Sequence, residues 1–394
     1  MESKSSPAAD PVTRAVAEFS SAVARLIATT GPIDALILLP IFGRGGTEKS
    51  ALAFSRVLRE SRHSRSILFI VTDFDVVDDQ LLLLEGTYVL RLIDFLTPID
   101  REMKERFLLL IIQLLTPRIC LIMNSDVGWS LLRYQGPQVG KATKVYGRIV
   151  AVRSASRELI GAARYFSDVA PYCGCILSDN ANVLADLQIL FPEDVKKTKL
   201  KTIYSPVMQS AANVELLRSR EQAGKRPSVL WAGRLDRQKR IEKLFEVAAL
   251  MTDFEFYFYG SRVTDGEVTL RRLPNVHYEG PFTSPDNLVE RRFYDAYIHT
   301  TWGEGLPNVL LEVALLNIPI VAPAIGGIPE LISDDTGYLI SADSSAREYE
   351  VALRAIITDR LSSGRRTRSL RALVESRHSW ANFFSQVKTI DSFV

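Results

Sequence analysis

Short, nearly continuous apolar runs recur along this chain, and segments of helical period separate them. DALILLP (34–40), SILFIVTDF (66–74), TYVLRLIDF (87–95) and RICLIMN (118–124) are of this kind. A sheet with one face in water would alternate apolar and polar residues. Unbroken runs mark strands covered on both faces, as in a parallel sheet flanked by helices. PVTRAVAEFSSAVARLIATTG reads as an amphipathic helix ending near Gly31, TEKSALAFSRVLRE as a helix capped by Thr47, and REMKERFLLLIIQLL as a third helix. GRIVAV (147–152) and GCILSDN (174–180) are further strand candidates.

The pattern pauses over the polar stretch 206–227 and then restarts. SVLWAGR (228–234), FEFYFYG (254–260), VHYEG (276–280), DAYIHTT (295–301) and IPIVAP (318–323) alternate with helices expected over 237–251 and 307–316. A chain of 394 residues accommodates two domains of this kind. The expectation is an α/β protein of two doubly wound, Rossmann-like parallel-sheet domains, 1–207 and 208–378, facing a central cleft. Ligands bind at the carboxyl ends of such strands, so each domain turns that edge to the cleft.

A net charge of +2 provides no global attraction for nucleic acid. Two basic clusters, Lys196, Lys197, Lys199 and Lys201, and Arg360, Arg365, Arg366, Arg368 and Arg371, read as solvated faces or as a peripheral contact with anionic lipid. The three cysteines, Cys120, Cys173 and Cys175, suit neither a disulfide framework nor a zinc site. The polar start MESKSSPAAD precedes no signal-type apolar core, and no run approaches the ~20 apolar residues of a membrane span. These features point to a cytoplasmic protein, with room for a peripheral position at the inner face of a membrane.

Two stretches carry the chemistry. In WAGRLDRQKR (231–240), Arg234 follows a strand and Lys239 opens a helix, a pairing that suits a phosphate or diphosphate, although surface charge explains it equally well. In EGLPNVLLEVALLN (304–317), Pro307 stands where a first helical residue is expected and Asn317 where a left-handed cap is expected. The free N–H groups of that helix favour an anion. Glu304 lies in the loop before it, and Glu312 lies within it, roughly 8 Å further on at ~1.5 Å per residue. Two such acceptors can hold hydroxyls at two places on one ligand. Val309, Leu310, Leu311, Val313, Leu315 and Leu316 offer Glu312 no partner, and an unpaired buried carboxylate is costly, so a ligand partner is expected. Gly326 and Gly327 permit close backbone approach, and Pro329 starts another short helix aimed at the same place.

E-G-L-P-N-x3-E with downstream GGIPE, preceded by A-G-R-L-x3-K, resembles the retaining family 4 glycosyltransferases of GT-B fold. The match is specific from about Ser228 to Ile340; in the first domain it rests mainly on FGRGGTEKSALAFSRVL. The resemblance implies transfer, with retention, of a hexose-type sugar from a nucleotide-diphosphate sugar to a glycan or lipid-linked acceptor, in cell-surface polysaccharide synthesis. It implies that Arg234 and Lys239 hold the donor diphosphate, that Glu304 contacts the donor sugar, and that Glu312 takes the ribose hydroxyls. Gly305, Leu306, Pro307, Asn308, Gly326 and Gly327 complete the donor site. Gly45 and Gly46 let the first domain close over the phosphates, and backbone around Gly280 to Phe282 faces the base. It also implies that the last segment, SWANFFSQVKTIDSFV (379–394), crosses back to the first domain through Trp380, Phe383, Phe384 and Val387.

No metal or other cofactor is expected, since fixed cations serve the leaving group; Asp73 and Asp75 (D-F-D) stand in the wrong architecture for a metal pair. Many relatives carry a histidine after the fourth strand. Here that place reads IMNSD, which leaves Asn124, Ser125 or Asp126 to act on the acceptor side. His63, His277, His299 and His378 are poorly placed for the role. Two other readings remain. A catalytically silent GT-B protein acting as a partner or regulator is left open by the missing histidine. A nucleotide-dependent oxidoreductase is disfavoured because Glu48 replaces the third glycine of its fingerprint.

Overall fold

A computed structural model describes residues 11–43, 45–62, 66–74, 85–92, 101–154, 156–207, 225–262, 270–282, 285–289 and 292–394. Two parallel sheets carry the chain. The first has seven strands in the order Thr87–Arg91, Ile67–Val71, Ala35–Leu39, Ile119–Met123, Lys144–Arg148, Cys173–Ser178 and Lys199–Thr202. The second has six, in the order Val276–Tyr278, Glu255–Tyr259, Ser228–Ala232, Ala296–Ile298, Ile320–Pro323 and Tyr338–Ile340. In each, chain order reverses beside the domain's first strand, next to Ala35–Leu39 in one and Ser228–Ala232 in the other. Loops leaving the carboxyl ends diverge at such a reversal and open a crevice. The two crevices face one another.

The apolar runs explain this architecture. Ala35–Leu39 and Ile67–Val71 are buried at every position. Phe19, Ile111 and Trp129 cover one face of the first sheet, and Phe54, Phe42 and Phe383 the other. Phe383 belongs to the final helix, Trp380–Lys388, which packs on the first domain after the chain has built the second. Its ring lies 5.2 Å from that of Phe54, and Phe393 lies 4.9 Å from Tyr146. The Arg56 guanidinium covers Trp380 at 4.3 Å.

Several local expectations change. The helix Gly46–Arg62 starts before Thr47, so Thr47 is not its cap; its hydroxyl instead accepts from Asn124 Nδ2 at 2.9 Å. The strand expected at 147–152 is Lys144–Arg148, because the chain leaves the ladder after Ile149 donates to the Leu177 carbonyl. The helix expected over 237–251 is interrupted at Arg240, whose φ of +47° separates the turn Arg237–Lys239 from the helix Ile241–Leu250. Pro307 caps the helix Asn308–Leu315 rather than beginning it, while Asn317 has the left-handed φ expected of it, +53°. The helix Asp126–Ala142 is hidden in sequence by Gly128, Gly136, Pro137 and Gly140, and it kinks at Gln135. His63, Asp75, the end of the third apolar run and most of the polar stretch before Ser228 lie outside the described residues.

Five of the nine basic residues in the two clusters pair with acids where they stand. Lys196 pairs with Glu193 at 2.6 Å, Lys197 with Asp194 at 2.7 Å and Lys199 with Asp391. Arg360 pairs with Asp295 at 2.7 Å and Arg371 with Glu375 at 2.7 Å. Lys199 and Lys201 belong to an edge strand, where lysine discourages pairing with another chain. No helix among the described residues is long and apolar enough to cross a membrane. All three cysteines are free and buried, and burial pushes the Cys120 thiol up to about 12.

His378 sits where the chain turns from the second domain into the final helix. It is fully buried, its Nδ1 bonds the Ser205 carbonyl at 2.8 Å, and its Nε2 has no partner. Burial therefore opposes a second proton and lowers its pKa to about 4. A pKa depressed on folding gives stability that is present above the unfolded value and lost as pH falls through the folded one. Between pH ~6.5 and ~4 this histidine should contribute a loss on the order of 3 kcal/mol. Melting temperatures read from pH 7.5 to 4.5 should fall, and His378→Asn, which keeps a donor for Ser205, should flatten the slope between pH 6.5 and 5. An unchanged slope would remove His378 from this account.

Candidate functional site

Both crevices open on one cavity of about 630 Å³. The first domain supplies the loop after Ala35–Leu39, with Gly45 and Gly46, and the residue after Ile119–Met123, Asn124. The second supplies Arg234 after Ser228–Ala232, and Glu304 to Asn308 after Ala296–Ile298.

Arg234 and Lys239 stand on a built loop. Asp236 caps the turn Arg237–Lys239, accepts from Arg234 Nε at 2.9 Å and from the Lys239 N–H at 3.0 Å. Gln238 accepts from Arg234 Nη2 at 3.2 Å. A guanidinium has five N–H donors, so three remain for a ligand once these two are engaged. Thr300 links Trp231 Nε1, at 2.8 Å, to the Lys239 carbonyl, at 2.6 Å, and thus ties the loop to the sheet.

Glu304 is 8% exposed and ion-paired with Lys239. Thr301 Oγ1 donates to it at 3.3 Å, and His299 Nε2 lies 3.7 Å away. Burial alone would raise its pKa, but the Lys239 ammonium, with help from His299, holds it at about 2. A carboxylate that stays ionised is therefore held beside Lys239 in the cavity. His299 itself is buried, and burial lowers its pKa, so it stays neutral there.

Glu312 corrects an expectation. Its sequence neighbours offer no partner, yet Lys49 of the first domain, 263 residues away, forms an ion pair with it across the cleft. The Lys49 side chain is 45% exposed and the Glu312 side chain 9%, so the lysine is the partner with freedom to move.

The Glu304–Asn308 loop meets the first domain closely. The Leu306 N–H donates to Asp179, which also pairs with buried Arg148 at 3.1 Å. A Cβ on Gly305 would sit 2.5 Å from the Val150 carbonyl oxygen. Glu330, closing the GGIPE stretch, reaches away from the cavity. It accepts from the Asn182 N–H at 2.7 Å and from the Tyr204 hydroxyl at 2.9 Å, both in the first domain. The turn begun by Pro329 thus fastens the domains together instead of pointing at the site.

Of the residues expected in the donor site, Arg234, Lys239, Glu304, Gly305, Leu306, Pro307, Asn308, Glu312, Gly45, Gly46 and Phe282 all line this cavity. Gly326 and Gly327 do not. They pack behind the Glu304–Asn308 loop, where a Cβ on Gly326 would lie 2.0 Å from the Glu304 carbonyl oxygen and one on Gly327 2.7 Å from Asn180. Their close approach is to the chain itself. On the acceptor side, only Asn124 lines the cavity. Ser125 is fully buried as the cap of the helix Asp126–Ala142 and accepts from the Gly128 N–H at 2.8 Å. Asp126 is held by Arg101 at 2.9 Å and Tyr165 at 2.6 Å. Asp73 accepts from Thr72 at 2.7 Å and from the Val127 N–H at 3.2 Å, a structural use of its carboxylate.

Lys49, Arg148, Asp179 and Trp302 also line the cavity and escaped the sequence reading. A signal existed for three of them. Lys49 stands one helical turn beyond the Gly45–Gly46 pair, and Arg148 and Asp179 are charged residues at the carboxyl ends of apolar strands.

Residues 226–359 match the family described as Glycosyl transferases group 1. Among curated proteins, the chain is 23% identical over 190 residues to an uncharacterized 41.2 kDa protein in the cps region of Klebsiella pneumoniae, covering 46% of this chain and 52% of that one. It is 28% identical over 158 residues to the GDP-mannose-dependent alpha-mannosyltransferase of Mycolicibacterium smegmatis, covering 40% of each. The chain thus spans about half, or less, of the length of these relatives. Solved structures align over almost the whole chain. HepE of Anabaena, in complex with UDP and glucose, superimposes with a TM-score of 0.67 at 14% identity, over 90% of this chain and 98% of that one. The sucrose-phosphate synthase of Thermosynechococcus elongatus does so with a TM-score of 0.67 at 15% identity, over 90% and 97%. The fold is GT-B, and its second domain carries a glycosyl transferases group 1 region.

Proposed function

From a GT-B fold whose second domain is of the glycosyl transferases group 1 type, we propose that this chain transfers a hexose-type sugar, with retention, from a nucleotide-diphosphate sugar to a glycan or lipid-linked acceptor. The observation that carries this reading is the meeting of Arg234, Lys239 and the start of the helix Asn308–Leu315 around buried Glu304. When a glycosidic bond to a diphosphate breaks, negative charge grows on the leaving group. Donors already aimed at that place stabilise the transition state more than the ground state. Arg234, Lys239 and the helix N–H groups are such donors. Glu304 accepts from the hydroxyls of the transferred sugar. Glu312 takes the ribose hydroxyls once Lys49 moves aside, and Phe282 borders the base. The chemistry asks for no cofactor beyond the donor substrate.

The mannosyltransferase and HepE likenesses support a nucleotide sugar as donor. The oxidoreductase reading is weaker. Glu48 folds back to accept the Gly45 and Glu48 N–H groups, so this helix start spends its donors on its own carboxylate.

The test incubates the purified protein with UDP- and GDP-sugars of glucose, galactose, mannose and N-acetylglucosamine. At least one should raise the melting temperature and be slowly hydrolysed without acceptor, since a ligand bound only by the native state stabilises it. Glu312→Ala should weaken that nucleotide's binding by about tenfold or more. Stabilisation without turnover would favour a silent partner protein. Stabilisation by none of them would remove the transferase reading.

A further inference from the structure

Trp302 is unlike the other tryptophans of the described cores. Trp129 and Trp231 are 1% exposed, whereas Trp302 is 44% exposed and lines the cavity. It stands two residues before Glu304. A large aromatic surface left partly open to water is unfavourably hydrated.

The ring is held in place from behind. The Arg240 guanidinium lies 3.8 Å from its centroid, and Arg240 Nε is buried with no hydrogen-bond partner, as expected of a guanidinium laid flat on a ring. Arg240 reaches that position from a left-handed backbone, φ +47°, a conformation uncommon for a non-glycine residue. The loop is pinned on both sides of the ring. The Trp302 N–H donates to the Gln238 carbonyl at 2.8 Å, and Gln238 Nε2 donates to the Gly303 carbonyl at 2.6 Å. With one face covered by Arg240, the opposite face is the one left for a ligand.

The space in front is bounded by the first domain. A Cβ on Gly303 would come within 2.9 Å of Ile160 Cδ1 and 3.7 Å of Ser154 Cα, so that segment closes tightly beside the ring. Ser154, Ile160 and Gly161 line the same cavity. A flat aromatic face in a cavity that also carries the polar residues Ser154, Gln238 and Glu304 matches a pyranose. The polarised C–H groups of one sugar face suit the negative face of the ring, and its equatorial hydroxyls suit the polar rim. An extended alcohol or a peptide presents no such disc.

We propose that Trp302, backed by Arg240 and sharing the cavity with Ser154, Ile160 and Gly161, forms a stacking subsite for a pyranose ring of the acceptor, so that the acceptor is itself a sugar. This rests on the transferase reading, with Glu304 marking the donor sugar. The assignment concerns the acceptor, because the cavity beside the ring is bounded by Ser154, Ile160 and Gly161 of the first domain, whereas the diphosphate and ribose contacts proposed above, Arg234, Lys239 and Glu312, belong to the second.

The test first identifies which of UDP and GDP stabilises the wild-type protein. With that nucleotide present, methyl pyranosides of glucose, galactose, mannose and N-acetylglucosamine are titrated by saturation-transfer NMR, with 1-octanol as the comparison. At least one pyranoside should bind more tightly than octanol. Trp302→Ala should weaken it about tenfold or more, and Trp302→Tyr should restore most of the affinity. Both variants should keep the rise in melting temperature with nucleotide that the wild type shows. Nucleotide stabilisation with no pyranoside bound, or with Trp302→Ala binding as the wild type does, overturns the subsite and leaves the transferase reading standing. Absence of stabilisation by either nucleotide removes both.

Discussion

Glu304→Gln is expected to reduce sugar transfer at least a hundredfold on the order-of-magnitude scale for removing one preorganised charged group, while leaving the fold intact. The glutamine keeps an acceptor for Lys239 and Thr301, so the loss falls on charge rather than shape. Glu304→Ala is harsher, because it strands the Lys239 ammonium, whose side chain is only 13% exposed. Breaking a buried pair from one side costs roughly 3–5 kcal/mol. A pH signature separates these effects. Glu304 has its folded pKa at about 2, below the ordinary 4.5. Its contribution is therefore complete above the unfolded value and is lost as pH falls from about 4.5 through about 2. That window holds on the order of 3 kcal/mol in the wild type and should flatten in Glu304→Gln. Turnover of the nucleotide sugar, together with denaturation curves at pH 7 and pH 3, reads both. A Gln variant retaining activity within a few-fold would refute the placement of Glu304 at the reacting sugar.

Gly326→Ala should be nearly as damaging, although Gly326 does not touch the cavity. Its φ is +56°, and an added methyl would meet the Glu304 carbonyl oxygen at 2.0 Å, a separation that no relaxed side chain shows. The contact is backbone against backbone, so no side-chain rotation relieves it. Either the turn shifts, which loosens the Gly327 N–H to Gly305 carbonyl bond of 2.9 Å, or the Glu304 peptide moves. A stability loss on the order of 3 kcal/mol is expected, with a fall in transfer beyond what the remaining folded fraction explains. Gly31→Ala provides the control. Its φ is +68°, but nothing lies within 4 Å of its added Cβ, so strain alone costs about 1–2 kcal/mol there. Equal losses in the two variants would show that the close approach to Glu304 does not matter.

Part of this site is visible in the bare sequence for a simple reason. Arg234, Lys239, Glu304 and Asn308 follow strands or begin helices, and the carboxyl ends of parallel strands are where such folds place ligands. The residues that mislead are those whose local pattern has two uses. Gly326 and Gly327 announce close approach without saying to what. Ser125 is equally good as a helix cap and as a polar group in a cleft, and burial decides for the cap. Trp302 reads as an ordinary loop aromatic until the cavity around it is known.

Strand and helix periods are local properties, legible within a dozen residues, and they determined two doubly wound domains and the loops bearing the charged groups. Pairing across distance is set by how those units pack. The Lys49–Glu312 pair, the Asp179 contact with the Leu306 N–H and the grip of Glu330 on Asn182 each join residues more than a hundred positions apart. Only the tertiary structure decided these, because no local period records which crevice a second domain will face.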